Sequence, residues 1–101
     1  MSLVANVAVD PEGFLLDASE WSRELGAQIA VENGIDVLTD RHWQVIDFMR
    51  GQFLATGNAP TIRSLGKESG VPVKELYSLF PRGPAKLAAQ IGGIPKPRGC
   101  I

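Results

Sequence analysis

Residues 39–58 read TDRHWQVIDFMRGQFLATGN, the longest uninterrupted helical pattern in the chain. Thr39 offers the side-chain oxygen of a good N-cap. Trp43, Val45, Ile46, Phe48, Met49, Phe53 and Leu54 then follow at helical spacing until Gly57-Asn58 stops the run. An apolar face of that length predicts an amphipathic helix at the centre of the core. Upstream, Trp21, Leu25, Ile29 and Ala30 repeat the period, with Glu20 near the start and Asn33-Gly34 as the stop, which predicts a first helix over about 20–32. Downstream, Thr61 can cap a short helix through Ile62, Leu65 and Lys67, which Ser69-Gly70-Val71-Pro72 breaks before Val73 to Phe80 resumes. Helix, tight turn and helix follow one another.

The two ends carry different signals. Val4 to Val9 alternates apolar with small or polar residues, and Pro11-Glu12-Gly13 is a turn signal before Phe14-Leu15-Leu16, which predicts a small N-terminal β-hairpin. Near the other end Pro84 suits a first helical turn, and Ala85 to Ile91 are good helix formers that stop at Gly92-Gly93. The remainder, Ile94-Pro95-Lys96-Pro97-Arg98-Gly99-Cys100-Ile101, cannot continue a helix past its two prolines and is expected to protrude as a mobile arm. Eight extended residues reach roughly 25 Å at about 3.3 Å each. The division expected is one helical domain over 1–93 and an arm over 94–101.

With 101 residues and 45% of them hydrophobic, the chain has material for one core and no second domain. A large enzyme pocket is not expected at this size. No stretch approaches the ~20 apolar residues of a membrane span, and no basic segment followed by an apolar one opens the chain, so the expected location is the cytoplasm, away from membrane. A lone cysteine forms no internal disulfide and supplies no multi-thiolate site, and His42 is the single histidine, so neither a metal site nor a cofactor is expected. Ten Lys+Arg nearly balance eleven Asp+Glu, yet the halves differ. Residues 1–50 hold nine acids and three bases, whereas residues 51–101 hold two acids and seven bases: Arg63, Lys67, Lys74, Arg82, Lys86, Lys96 and Arg98. A basic half fits nucleic acid, an acidic partner, or the tuning of a reactive group.

Cys100 is the residue on which chemistry converges. It is penultimate, lies beyond the Gly-Gly break and the Pro-Lys-Pro segment, and has Lys96 and Arg98 within four residues. Burial is hard to arrange there, and nearby cations favour the thiolate, the form that attacks sulfane sulfur or a disulfide. A cysteine hydrolase would need a base held by a rigid scaffold, whereas His42 sits near the start of the central helix beside Trp43 and fits a core or boundary role. The 61–80 segment invites comparison with DNA-binding helix-turn-helix modules. Its second helix, however, is short and mostly apolar, without the Arg, Asn or Gln that read base edges, so packing is the better account. Trp21, Trp43, Phe48 and Phe53 read as core rather than as a stacking platform. No phosphate loop, interpretable carboxylate pair or dinucleotide fingerprint is present.

The run Leu76-Tyr77-Ser78-Leu79-Phe80-Pro81-Arg82-Gly83-Pro84-Ala85-Lys86, then Ile91-Gly92-Gly93-Ile94-Pro95-Lys96-Pro97 and penultimate Cys100, resembles the DsrC/TusE family of sulfur-trafficking proteins. Gly13-Phe14-Leu15, Trp21-Ser22, His42-Trp43-Gln44-Val45-Ile46, Arg50, Pro60 and Arg63-Ser64-Leu65 extend the resemblance over nearly the whole chain. It implies a mainly α (α+β) fold: a small N-terminal β-hairpin, an orthogonal helical bundle with a helix-turn-helix-like segment, and a flexible C-terminal arm. It also implies a sulfur carrier in which Cys100 holds a persulfide, with Lys96, Arg98, Arg82 and Lys86 supporting the arm and its docking. In DsrC a second cysteine stands eleven residues before the terminal one, and here that position is Ala89, which leaves the single-thiol, TusE-like mode.

The implied partners are a donor of the TusBCD or DsrEFH kind and an acceptor, either a tRNA-thiolating enzyme or a sulfite-reductase-like complex. Two alternatives stay open: an accessory gamma-type subunit of a dissimilatory sulfite reductase or sulfur-oxidation complex, and a DNA-binding regulator of sulfur genes. The linker around Glu68-Ser69-Gly70-Val71-Pro72 is shorter than the family pattern. Gly92-Gly93, where the family has Ala-Gly, is expected to loosen the root of the arm.

Overall fold

The computed structural model describes residues 8–81 and 83–96. Its five α-helices are α1 (Arg23–Glu32), α2 (Asp40–Thr56), α3 (Ile62–Glu68), α4 (Val73–Leu79) and α5 (Pro84–Ile91), with a 3-10 turn at Ala18–Glu20 ahead of α1. Three of the starts share one device. Ser22, Thr39 and Thr61 lie in extended backbone, and their hydroxyl oxygens accept from the amides of Leu25, His42 and Ser64, satisfying donors that the first turn leaves orphaned. Ser22 also explains why α1 begins later than residue 20: Asp17 caps the separate 3-10 turn, and the chain must extend through Trp21 and Ser22 before a second helix can start. Two of the ends share another device. Gly34 (φ +89°) and Gly93 (φ +68°) take the left-handed conformation. The amides of Ile35 and Ile94 then reach back to the carbonyls of Ala30 (2.8 Å) and Ala89 (3.1 Å), closing α1 and α5 in Schellman motifs.

The core is organised around α5. Pro84, Ala85, Leu87, Ala88, Ala89 and Ile91 are all buried, and the helix packs against each of the other four. Its small residues let α1 and α2 approach closely. The expected central helix, α2, buries only His42, Val45, Ile46 and Met49 along one line, while Leu54, assigned to the apolar face, is 67% exposed. The reason is length: the last turn of this 17-residue helix is exposed, beyond the neighbours it packs against. Trp21, Trp43, Phe48 and Phe53 are half-buried and close the edge of the core rather than filling it.

α2 also fastens the α3–α4 pair. Arg41 grips Glu75 through two hydrogen bonds, Nε to Oε2 (2.7 Å) and Nη2 to Oε1 (2.6 Å), which holds the Glu75 carboxyl below its ordinary range and raises the guanidinium. Gln44 Nε2 donates to the Ser69 carbonyl at 2.7 Å. His42 is nearly buried, as its boundary role requires. Its Nδ1 accepts from the Thr39 amide (3.0 Å), so Nε2 carries the proton and donates to the Leu79 carbonyl (2.9 Å), with the ring edge-on to Phe80. α3 and α4 themselves close together because residue 66 is glycine, where a Cβ would overlap the Val73 side chain.

The expected N-terminal β-hairpin is not present as strands among the described residues, which contain no sheet. A tight turn stands in its place. Asp10 Oδ1 accepts from the amides of Glu12 and Phe14 (both 2.9 Å), and a single antiparallel bridge joins Val9 to Leu15. Among the described residues no further pair follows, since Asp17 turns the chain into the 3-10 segment directly after Leu16; Val4 to Val7, which the expected hairpin also uses, lie outside the described residues. Among the described residues no helix is long and apolar enough to cross a membrane.

Candidate functional site

The end of α5 is the place from which the cysteine-bearing segment departs, and helix termini leave carbonyls in need of donors. Two side chains from other elements supply them. Trp21 Nε1 donates to the Ile91 carbonyl at 2.8 Å, and Arg50 Nη1, from the middle of α2, donates to the Gly92 carbonyl at 2.8 Å. Arg50 Nη2 reaches Ala18 O at 3.3 Å, and the guanidinium carbon lies over the Trp21 indole, 4.2 Å from the ring centroid. Burial pushes this guanidinium below its ordinary value while Asp47 acts in the opposite sense. Trp21 in turn meets Trp43 edge-on at 6.4 Å, and Arg23 covers Trp43 at 4.4 Å. Cation, indole, indole and cation form one continuous wall.

The glycines expected to loosen the root are instead enclosed by this wall. A Cβ on Gly93 would stand 2.5 Å from Trp21 Cδ1, and one on Gly26 would stand 3.0 Å from the Ile91 carbonyl oxygen, so packing around Trp21 leaves no room for a side chain at 93 and a tight fit at 26. Ile94, assigned to the arm, is fully buried, and the chain first reaches solvent at Pro95 and Lys96. The Schellman closure is the cause, because it turns residue 94 back onto the helix it follows.

Of the five residues singled out from the sequence, Cys100, Arg98 and Arg82 lie outside the described residues. The other two meet at a residue that was not singled out. Lys96 Nζ lies 3.0 Å and Lys86 Nζ 3.7 Å from Glu12 Oε2, so the turn after Asp10 places one carboxylate between the two lysines at the root of the arm. The side chains are about half exposed, and such contacts steer approach more than they stabilise. Glu12 was visible only as part of a turn signal. Trp21 and Arg50 were visible as part of a family pattern, and nothing local in the sequence says that an arginine 42 positions before Gly92 donates to it. Beside the exit, Phe53, Gly57, Asn58, Ala59 and Thr61 join Pro95 and Lys96 around an open groove of about 440 Å³.

These features define a class: a small helical domain whose last core helix is pinned at its C-terminus and continues into a short basic segment bearing the sole cysteine. Residues 4–101 match the family described as DsrC like protein, and the chain belongs to that family. It is 40% identical over 93 residues to the dissimilatory-type sulfite reductase subunit gamma of Nitratidesulfovibrio vulgaris, covering 92% of this chain and 89% of the other. It is 42% identical over 103 aligned positions to the sulfurtransferase TusE of Escherichia coli K12, covering 94% and 93%. Among solved structures, that of dissimilatory sulfite reductase I (DsrI) superposes with a TM-score of 0.84 at 39% identity, covering 94% of this chain and 91% of that one.

Proposed function

We propose that the chain is a sulfur-relay carrier that holds sulfur as a persulfide on Cys100. The observation that carries this is the membership of a sulfur-trafficking family together with a single cysteine at the penultimate position, beyond the pinned end of α5. In the transfer step the Cys100 thiolate attacks the outer sulfur of a donor persulfide, R–S–SH. The new sulfur–sulfur bond forms as the donor's bond breaks, the donor leaves as its thiolate, and the proton stays with the transferred sulfur, so nothing is oxidised or reduced overall. Delivery is the same step in reverse roles. Lys96 and Arg98 favour the thiolate, and Lys86 and Arg82 support docking on an acidic partner surface.

The relatives include both a dissimilatory-type sulfite reductase subunit gamma and the sulfurtransferase TusE, and one residue favours the second kind of chemistry. Ala89, at the position of the second DsrC cysteine, is fully buried in α5 and carries no thiol, so an internal disulfide or trisulfide cycle has no second sulfur to use. The reading is therefore single-thiol and TusE-like: a cytoplasmic carrier between a donor of the TusBCD or DsrEFH kind and a tRNA-thiolating acceptor. The division that accompanies it is a body ending at Ile94 and an arm over 95–101. The DNA-binding alternative finds no support in the relatives named above, and the exposed face of α4 offers Val73, Lys74, Tyr77 and Ser78, a poor set for base edges. The test is a chase. Protein loaded with sulfane sulfur and freed of donor should lose it stoichiometrically to an added tRNA-thiolating partner, and Cys100→Ser should neither hold nor pass any. Transfer by the serine variant would contradict the proposal.

A further inference from the structure

The groove beside the chain's exit is held open by stiff walls. The last turn of α2 stands clear of its neighbours, Gly57 (φ +81°) reverses the chain, and the return runs through Ala59 to buried Pro60, with Pro95 and Lys96 completing the lining. Thr56 Oγ1 donates to the Gln52 carbonyl (2.8 Å) and accepts from the Asn58 amide (3.1 Å), and the two prolines have their φ angles fixed, so little order has to be gained on binding. Glycine and alanine put almost nothing into the space, and a Cβ at residue 57 would meet no atom within 4 Å. Phe53, Ala59 and Pro95 supply apolar surface, while Asn58, Thr61 and Lys96 form a polar rim, the anatomy of an interface anchor. Lys96 is the one charge among these lining residues, and none of them is a carboxylate. Its contact with Glu12 is about half exposed and yields readily to a second carboxylate.

What covers this groove follows from the length of chain beyond it. Cys100 stands four residues after Lys96, so its Cα stays within about 14 Å of Lys96 by any path, at no more than about 3.6 Å per residue. One side of a standard protein interface covers about 800 Å², a disc of about 16 Å radius. A protein that brings its own persulfide to Cys100 therefore spreads over the groove. We propose that the groove is the docking site of the protein that loads Cys100, taking an apolar side chain of that donor between Phe53, Ala59 and Pro95 and an adjacent carboxylate at Lys96. The proposal rests on the carrier reading. It asks for no fixed course of residues 97–101, since a docked donor lies within the volume that a mobile arm searches, and tethering supplies the high local concentration.

The experiment uses the full chain with three substitutions at exposed Asn58, each of which keeps its amide bond to Thr56: Asn58→Trp fills the groove, Asn58→Asp adds a like charge for the donor's carboxylate, and Asn58→Lys adds an opposite one. Two reactions are read, loading by inorganic polysulfide and single-turnover loading from a persulfidated TusBCD-type complex as its concentration is varied. The expected result is polysulfide loading within about twofold of wild type throughout. The half-saturating concentration of the complex should rise about tenfold in Asn58→Trp. It should rise about threefold in Asn58→Asp and fall about threefold in Asn58→Lys. The rate at saturation should not change, because docking and not the sulfur exchange is altered. If Asn58→Trp does not fold, the Asp and Lys variants decide. A half-saturating concentration unchanged across the variants overturns the proposal, and so does one that moves the same way for Asp and Lys. Wild type that loads from polysulfide and takes nothing from the complex overturns it as well. Polysulfide loading that changes several-fold in Asn58→Trp, with protein transfer unaltered, would assign the groove to residues 97–101 of this chain, and a dimer of wild type that Asn58→Trp dissociates would assign it to a second copy; either result overturns the proposal. Failure of wild type to load from polysulfide would instead strike the carrier reading itself.

Discussion

Replacing Ile94 by alanine tests where the body of the protein ends. Placed in a protruding arm, this residue could be shortened at no cost. In the structure it is fully buried, its amide closes α5 onto Ala89, and it follows the glycine that Trp21 encloses. The substitution removes three carbons, about 2.4 kcal/mol at about 0.8 kcal/mol per buried methylene. The cavity left under α5 adds to that, since the surrounding helices relax only partly, and the whole loss should fall in the range of about 2–5 kcal/mol. Urea unfolding followed by the fluorescence of Trp21 and Trp43 measures it directly, with an unchanged m-value expected because the same surface is exposed on unfolding. Exposed Lys96, two residues on, serves as the control, and Lys96→Ala should stay within about 0.5 kcal/mol of wild type. A loss below about 0.5 kcal/mol for Ile94→Ala would return residue 94 to the arm and refute the reasoning about the helix end.

Gly66→Ala should destabilise by about 1–3 kcal/mol, because the new methyl meets Val73 across the α3–α4 pair, and adding Val73→Ala should recover most of it in urea titrations; no recovery would place the cost elsewhere. Glu75 is held below its ordinary value of 4.5 by Arg41, so its contribution is present above that pH and is lost as pH falls through the depressed folded-state value. The stability gap between wild type and Glu75→Gln should accordingly narrow below about pH 4.5, and a gap unchanged from neutral pH to pH 3 would contradict the pairing. Glu12→Gln removes the carboxylate that Lys86 and Lys96 share and should leave stability within about 0.5 kcal/mol while speeding alkylation of Cys100 by an anionic reagent relative to a neutral one. An unchanged ratio of the two rates would show that Glu12 does not screen the arm.

Most of the helical order was legible because it is written locally. Thr39 and Thr61 cap as their side-chain chemistry dictates, and Asn33-Gly34, Gly57 and Gly92-Gly93 stop helices at the expected places, whereas the cap at Ser22 was not read. What escaped depends on partners distant in sequence. Periodicity ranked α2 as the central helix because it is long, but centrality is decided by how closely neighbours approach, and the alanines of α5 permit more than the large residues of α2 do. The glycines at 92–93 read as a hinge when considered alone and become a fixed point once Trp21 and Arg50 are in place. Of the expected hairpin, the described residues carry the turn at Asp10 and one antiparallel bridge, Val9 to Leu15, and the rest of its first strand, Val4 to Val7, lies outside them. For the site, Lys86 and Lys96 were legible as cations and Glu12, 74 and 84 positions away from them, was not legible as their shared partner.

The central claim concerns Cys100, and intact mass spectrometry of the reduced protein after incubation with a cysteine desulfurase and cysteine, or with polysulfide, tests it most directly. The account predicts an added mass of about 32 Da, one persulfide sulfur, that maps to the C-terminal peptide, disappears on reduction and is absent from Cys100→Ser. Wild-type protein that gains no sulfur from any of these donors, or a serine variant that gains it equally, would contradict it.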